Sequence, residues 1–231
     1  MYKTSAFLVF LTSILLVGCQ ERGDKKSLGP LPDNGIYFDY QVMGEEGEDS
    51  VACRLQCRRG NQEGETVLLP STTEVTLDGQ PLQPDSAGFS GIYYETQRPA
   101  AGFSGQHTWQ LKDKEGTIKA NFSYFAFSLA DLPPQVKRGD LELQLKNFPD
   151  DDDTRLHLLL VDTAWASNDL NALWRVRDGK LLIPVDRLSQ LKAGPISLEL
   201  RYEETLPLQP DAQRGSLHIS YGLRRSFDLV D

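Results

Sequence analysis

The chain has 231 residues, with 24 Lys and Arg against 33 Asp and Glu, for a formal net charge of -9. Its 39% hydrophobic and 25% charged residues are ordinary globular proportions, which exclude a collagen-like, coiled-coil, disordered or polytopic membrane chain. The acidic surplus leaves no basic excess to displace phosphate counterions, so no nucleic-acid partner is expected.

The amino terminus carries the strongest signal. Lys3 is followed by an apolar run over residues 6–17. A bilayer-spanning helix needs about 20 apolar residues, so this run has the length of a signal-peptide core rather than of a membrane anchor. It closes in Leu16-Val17-Gly18-Cys19. That tetrad resembles the lipobox of a bacterial lipoprotein signal peptide, and the resemblance covers residues 1–19 only. It implies a diacylglycerol on the Cys19 sulfur, cleavage after residue 18, and acylation of the new amino terminus with a palmitate-type chain. One acyl chain anchors marginally, at about 0.8 kcal/mol per buried methylene, whereas several chains on one residue hold firmly. The membrane is therefore the expected partner through Cys19. The expected location is the bacterial cell envelope, at the outer membrane in preference to the inner.

Residues 19–33 read as the lipidated terminus and a flexible tether. Gly23, Gly29, Pro30 and Pro32 are interspersed with Arg22, Lys25 and Lys26, and almost nothing apolar is present to pack.

From residue 34 onward the hydrophobic period is two. In 50–59, alternation puts Val51, Cys53, Leu55 and Cys57 on one face and Arg54, Gln56 and Arg58 on the other. The two cysteines would stand about 13 Å apart along a regular strand, at roughly 3.3 Å per residue. A disulfide needs Cα atoms within about 7 Å. Both are expected to be free core thiols, unless a bulge or turn within the segment lets the oxidising envelope bridge them. Glu45-Glu46-Gly47-Glu48-Asp49 reads as an exposed turn, and Asp78-Gly79 as a tight hairpin.

Ala-Gly-Phe-Ser-Gly occurs twice, at 87–91 and 101–105. A strand at about 92–97 separates the copies, which places them at opposite ends of a sandwich. Each is expected to be a small-residue loop pinned by a buried Phe. The run Tyr124-Phe125-Ala126-Phe127 is apolar on both faces, so one side is expected to meet the other half of the chain.

Asp131-Leu132-Pro133-Pro134 breaks the pattern, because paired prolines cannot continue a central strand, and the next strand is expected at about residue 140. Beyond it Leu141, Leu143 and Leu145 alternate with polar residues, as do Ile196, Leu198, Leu200 and Tyr202, and Leu217, Ile219, Tyr221 and Leu223. Such alternation belongs to antiparallel sheets with one wet face. Short helices are expected at 168–174, behind an Asp/Asn cap, and at 186–191. The acidic run 150–153 reads as a solvated hairpin loop.

The expected fold is therefore all-β. Two tandem immunoglobulin-like antiparallel β-sandwiches, 34–130 and 131–231, follow the signal peptide and tether, each near the ~100 residues of such a sandwich. One larger sandwich or barrel is the alternative.

No catalytic set assembles locally. His107, His157 and His218 lie far apart and read as exposed strand residues. No Gly-rich phosphate loop, nucleophile elbow or metal-ligand spacing is present, so neither a cofactor nor a metal is expected. The expected role is non-enzymatic binding or scaffolding, with an envelope protein or a glycan as partner. A rival reading places a carbohydrate-binding shelf on the 162–177 connector, with Trp165, Asn168, Asp169, Trp174 and Arg175 as candidate contacts; a helical plug with buried tryptophans is the bland counterpart. An envelope hydrolase is the third reading, and it would require clustered carboxylates or a Ser/His pair.

Overall fold

A segment whose apolar residues fall at every second position buries one face only when extended, and this chain follows that rule nearly throughout. The structure is a computed structural model that describes residues 35–149, 154–162, 170–208 and 214–231. In chain order the strands are β1 (Ile36–Glu45), β2 (Ser50–Arg59), β3 (Glu74–Leu77), β4 (Gln80–Pro81), β5 (Pro84–Ala87), β6 (Gly91–Pro99), β7 (Gly105–Lys112) and β8 (Thr117–Tyr124). There follow β9 (Ser128–Leu129), β10 (Gln135–Lys137), β11 (Leu141–Lys146), β12 (Arg155–Asp162), β13 (Leu170–Arg175), β14 (Lys180–Ile183), a single helical turn α1 (Val185–Leu188), β15 (Gly194–Pro207) and β16 (Arg214–Val230).

The strands build sandwiches, as the alternation requires. In the first half, β5, β6, β2 and β1 form one layer and β4, β3, β7 and β8 the other. Tyr40 of β1 and Trp109 of β7, both fully buried, meet across the layers with ring centroids 5.4 Å apart. In the second half, β13, β12, β15 and β16 face the small sheet β14-β11-β9. Leu156, Leu158, Leu160, Leu198 and Leu200 fill one side, and Leu143, Leu181 and Ile183 the other.

One connection is not written in the alternation. The two large layers are a single nine-stranded sheet, because β1 pairs with β16 in parallel, Tyr37 opposite Arg214 through Glu45 opposite Gly222. The far end of β16 also pairs in parallel with the short β10, which precedes the strand expected at residue 140. Among the described residues these two pairings are parallel and the others antiparallel. Chain crossover comes just before the prolines, since β9 already pairs with β11 in the second half's small sheet.

Turn chemistry follows the residues. Asp78-Gly79 and Asp178-Gly179 all carry positive φ, between 50° and 76°, the backbone of a tight type I′ turn that Asp-Gly tolerates best. The helix expected at 168–174 is instead β13 over its described part. Leu170, Ala172 and Trp174 face inward at period two, and pairing with β12 outweighs the weak cap signal. The helix expected at 186–191 shrinks to α1, which Pro184 precedes. The acidic run at 150–153 lies outside the described residues.

Candidate functional site

The outer face of the nine-stranded sheet carries the polar phase of every strand. On β1 this phase is Asp39, Gln41 and Met43; on β2 it is Ala52, Arg54, Gln56 and Arg58. The register sets Gln41 opposite Arg54 and Arg54 opposite Glu95 of β6. These side chains are tied to one another. Arg54 donates to Glu95 at 2.6 Å and lies over the Tyr93 ring at 4.5 Å. Arg58 donates to Gln56 Oε1 at 2.7 Å, Gln56 Nε2 donates to the Ser90 carbonyl at 2.6 Å, and Gln41 Nε2 donates to Asp39 at 3.3 Å. Asp39 and Gln56 are only 8% and 5% exposed.

Two of the hollows among the described residues lie on this face. The larger, about 630 Å³, has Gln41, Arg54, Gln56 and Arg58 as its floor. Its walls are the 64–66 loop and the 88–91 loop. The smaller, about 440 Å³, sits where the two halves join, between Met43, Ala52, Gln97, Arg201 and Ser220. A third recess of about 520 Å³ opens between the 68–75 segment and the 81–84 segment, beside Tyr94.

The two Ala-Gly-Phe-Ser-Gly copies lie at opposite ends of β6, as expected, but their phenylalanines differ. Phe103 is buried, stacked on His107 at 3.9 Å and edge-on to Tyr124 at 5.2 Å. Phe89 is not pinned at all. It is fully exposed, at 110% of the reference area, on the rim of the larger hollow. The expectation of two buried phenylalanines fails for Phe89: His107 and Tyr124 wall in Phe103, whereas Phe89 stands clear of the core.

The junction carries an ion-pair network. Glu199 accepts from Arg201 at 2.6 Å and from Arg224 at 3.2 Å, and Arg224 lies 3.5 Å from Glu45. Arg225 pairs with Glu46. The Arg201 hydrogen bond, opposed by desolvation and aided by Arg224, holds the Glu199 carboxyl below its ordinary value. The Glu46 hydrogen bond raises the Arg225 guanidinium. Glu45 and Glu46, read from the sequence as an exposed turn, are half-buried clamps on β16; only Gly47, Glu48 and Asp49 are exposed.

Cys53 and Cys57 are free, buried and on the inner face of β2, as the strand geometry requires. Burial pushes the Cys53 thiol up to about 12 and raises Cys57 as well. His107 corrects its reading as an exposed residue: Nδ1 is 2.8 Å from Asp78 and Nε2 is 2.5 Å from the Phe103 carbonyl. His218 Nδ1 lies 3.0 Å from Thr205 Oγ1, and His157 is half-buried on β12. Of the connector residues, Trp174 is half-buried against the core, while Arg175, the next residue on β13, is exposed on the opposite face. Trp165, Asn168 and Asp169 lie outside the described residues, as does Cys19. Among the described residues, no group of three or more His, Cys, Asp or Glu is placed to hold a metal ion. No helix among them is long and apolar enough to cross a membrane.

The floor of the larger hollow was visible in the sequence as the wet face of β2; its function as a floor was not.

No protein-family model matches the chain, and no curated protein matches it. Solved structures do. A tetra-tandem repeat from the extending region of a large adhesion protein is 15% identical, with a TM-score of 0.26, over 82% of this chain and 49% of that one. An I-band fragment of titin is 13% identical, TM-score 0.26, over 84% of this chain and 65% of that one. Extracellular domains 3–5 of Drosophila OTK are 12% identical, TM-score 0.24, over 84% and 61%. The chain thus spans about half of the adhesion-protein repeat array and under two thirds of the other two. Similarity at this level is silent on function; the sandwich architecture stands on the strands and registers themselves.

Proposed function

We propose that this chain is a lipid-anchored protein of the bacterial cell envelope whose strand-built head binds or scaffolds without catalysing a reaction. The observation that carries the anchor is Cys19 at the end of an apolar run too short to span a bilayer. Lipid on Cys19 and a tether over residues 20–33 hold the head at a membrane, the outer membrane in preference to the inner.

The joined sheet supports the role of the head. Backbone pairing between β1 and β16 fixes both sandwiches in one plate, and the plate's outer face is polar with two open hollows. A rigid frame with fixed polar side chains loses little freedom on binding, which favours recognition.

The test is fractionation of cells expressing the protein and its Cys19→Ser variant. The native form is expected in the membrane fraction and the variant in the soluble fraction. A variant that stays with membranes while processed to the native mobility overturns the anchor.

A further inference from the structure

We infer that the hollow beside Phe89 is a binding site for a neutral oligosaccharide. The inference rests on the binding role proposed above, names its site and ligand class, and is independent of the lipid anchor.

Phe89 carries the first part of the argument. A fully exposed Phe leaves its apolar surface in water, and the same pentapeptide buries its Phe fourteen residues later. Exposed singly, Phe89 would need no explanation. It stands, however, on the rim of the largest of the three hollows described, about 630 Å³, within the size range of small-molecule sites.

The floor carries the second part. Gln41, Arg54 and Arg58 present planar amide and guanidinium groups over the buried Gln56 amide, to which Arg58 is tied, with Thr66 and the backbone at 88–91 as walls. Sugar hydroxyls both donate and accept, and planar polar groups meet them in pairs. A pyranose ring also offers a face of C–H bonds, which rests on the negative face of an aromatic ring. Phe89 is placed to supply that ring at the lip while the floor supplies the hydrogen bonds.

The same lining disfavours the other occupants. A protein partner anchors through a buried aromatic or aliphatic group in a dry pocket, and this hollow has no apolar floor. An anionic ligand needs spare positive charge. Arg54 is already paired with Glu95, Arg58 lies 3.9 Å from the Asp39 carboxylate, and Glu65 lines the same hollow. The floor is preformed by its own hydrogen bonds, so little side-chain freedom is lost on binding.

The experiment measures binding of the full-length protein in detergent to immobilised neutral oligosaccharides derived from β-glucan, chitin and mannan. Phe89→Ala, Phe89→Trp, Gln41→Ala and Arg175→Ala are compared, with near-ultraviolet circular dichroism as the check on folding. The expected result is binding to at least one of these sugars, weakened about tenfold or more by Phe89→Ala. Gln41→Ala should weaken it as well, Phe89→Trp should retain it, and Arg175→Ala should leave it unchanged. No binding to any neutral sugar overturns the inference. So does binding that survives Phe89→Ala, or binding lost only in Arg175→Ala, although either would leave a binding role intact. Phe89-dependent capture of a protein in place of a sugar also overturns it.

Discussion

Phe127 stands edge-on to Tyr221, their ring centroids 5.1 Å apart and their planes at 68°. One comes from the segment that leaves the first sandwich, the other from the strand shared by both halves. Around them Phe125 meets Tyr202 at 4.6 Å, Phe127 meets Phe148 at 5.4 Å, and Tyr124 meets Tyr221 at 6.2 Å. The two-sided apolar run 124–127 thus meets the second half of the chain, as its composition requires. Edge-to-face aromatic pairs add about 0.5–1.5 kcal/mol each beyond the area they bury.

Phe127 is 1% exposed, so Phe127→Ala should cost about 3–5 kcal/mol. Because the β1–β16 ladder and this aromatic cluster bind the halves together, the native protein should melt in one transition. Scanning calorimetry and urea unfolding are the checks. Two well-separated transitions in the native protein would mean that the halves are energetically independent.

Gly44 has the tightest fit at this junction. A Cβ there would overlap the Tyr124 hydroxyl and approach the Tyr221 ring within 3.3 Å. Gly44→Ala should therefore destabilise by about 1–3 kcal/mol through overpacking. The Tyr124 hydroxyl is buried without a hydrogen-bond partner, so Tyr124→Phe alone should be near neutral or mildly stabilising. Combining the two should recover part of the Gly44→Ala loss. A double-mutant cycle measures this, and strict additivity would contradict the contact.

Acid should weaken the junction through Glu199. Its carboxyl titrates below the ordinary 4.5 in the folded protein, chiefly through the Arg201 hydrogen bond. A depressed folded-state value means that the stabilisation is fully present above about 4.5 and fades as pH falls through the lower value. Urea midpoints measured from neutral pH down to about pH 3 should show a steeper decline in the native protein than in Glu199→Gln. Half-exposed pairs such as these contribute modestly, and salt should shrink the difference.

Much of this was legible in the residues and some was not. Strands β11, β15 and β16 follow directly from Leu141, Leu143 and Leu145 and from the long alternations at 196–202 and 217–223, because period two with a polar partner phase has one physical reading. Cys53 and Cys57 on one face of β2 likewise follow from strand spacing. β13 is hidden because its polar phase is interrupted by the exposed Leu173, which blurs alternation into a helix-like pattern. The parallel β1–β16 pairing was invisible, since periodicity assigns a face to a residue but never a neighbour to a strand. Phe89 and Phe103 make the limit plain: identical pentapeptides end in opposite environments, Phe103 buried between His107, four residues along, and Tyr124, which the β7–β8 pairing brings to it.

The thiols of β2 give a separate check on the core. Thiolate is the reactive form, and burial holds both cysteines protonated. A thiol reagent at pH 8 should leave Cys53 and Cys57 unlabelled in the native protein and label both in denaturant without prior reduction. Labelling that requires a reductant would reveal a disulfide, and rapid native labelling would contradict the burial of β2.

Residue 19 decides whether the head is moored by lipid. Mass spectrometry of the amino-terminal peptide from the protein purified from bacterial membranes addresses it directly. The expected peptide begins at Cys19 and carries a diacylglycerol on the sulfur and an acyl chain on the amino group. An intact leader, cleavage at another residue, or an unmodified Cys19 thiol would contradict the lipid anchor.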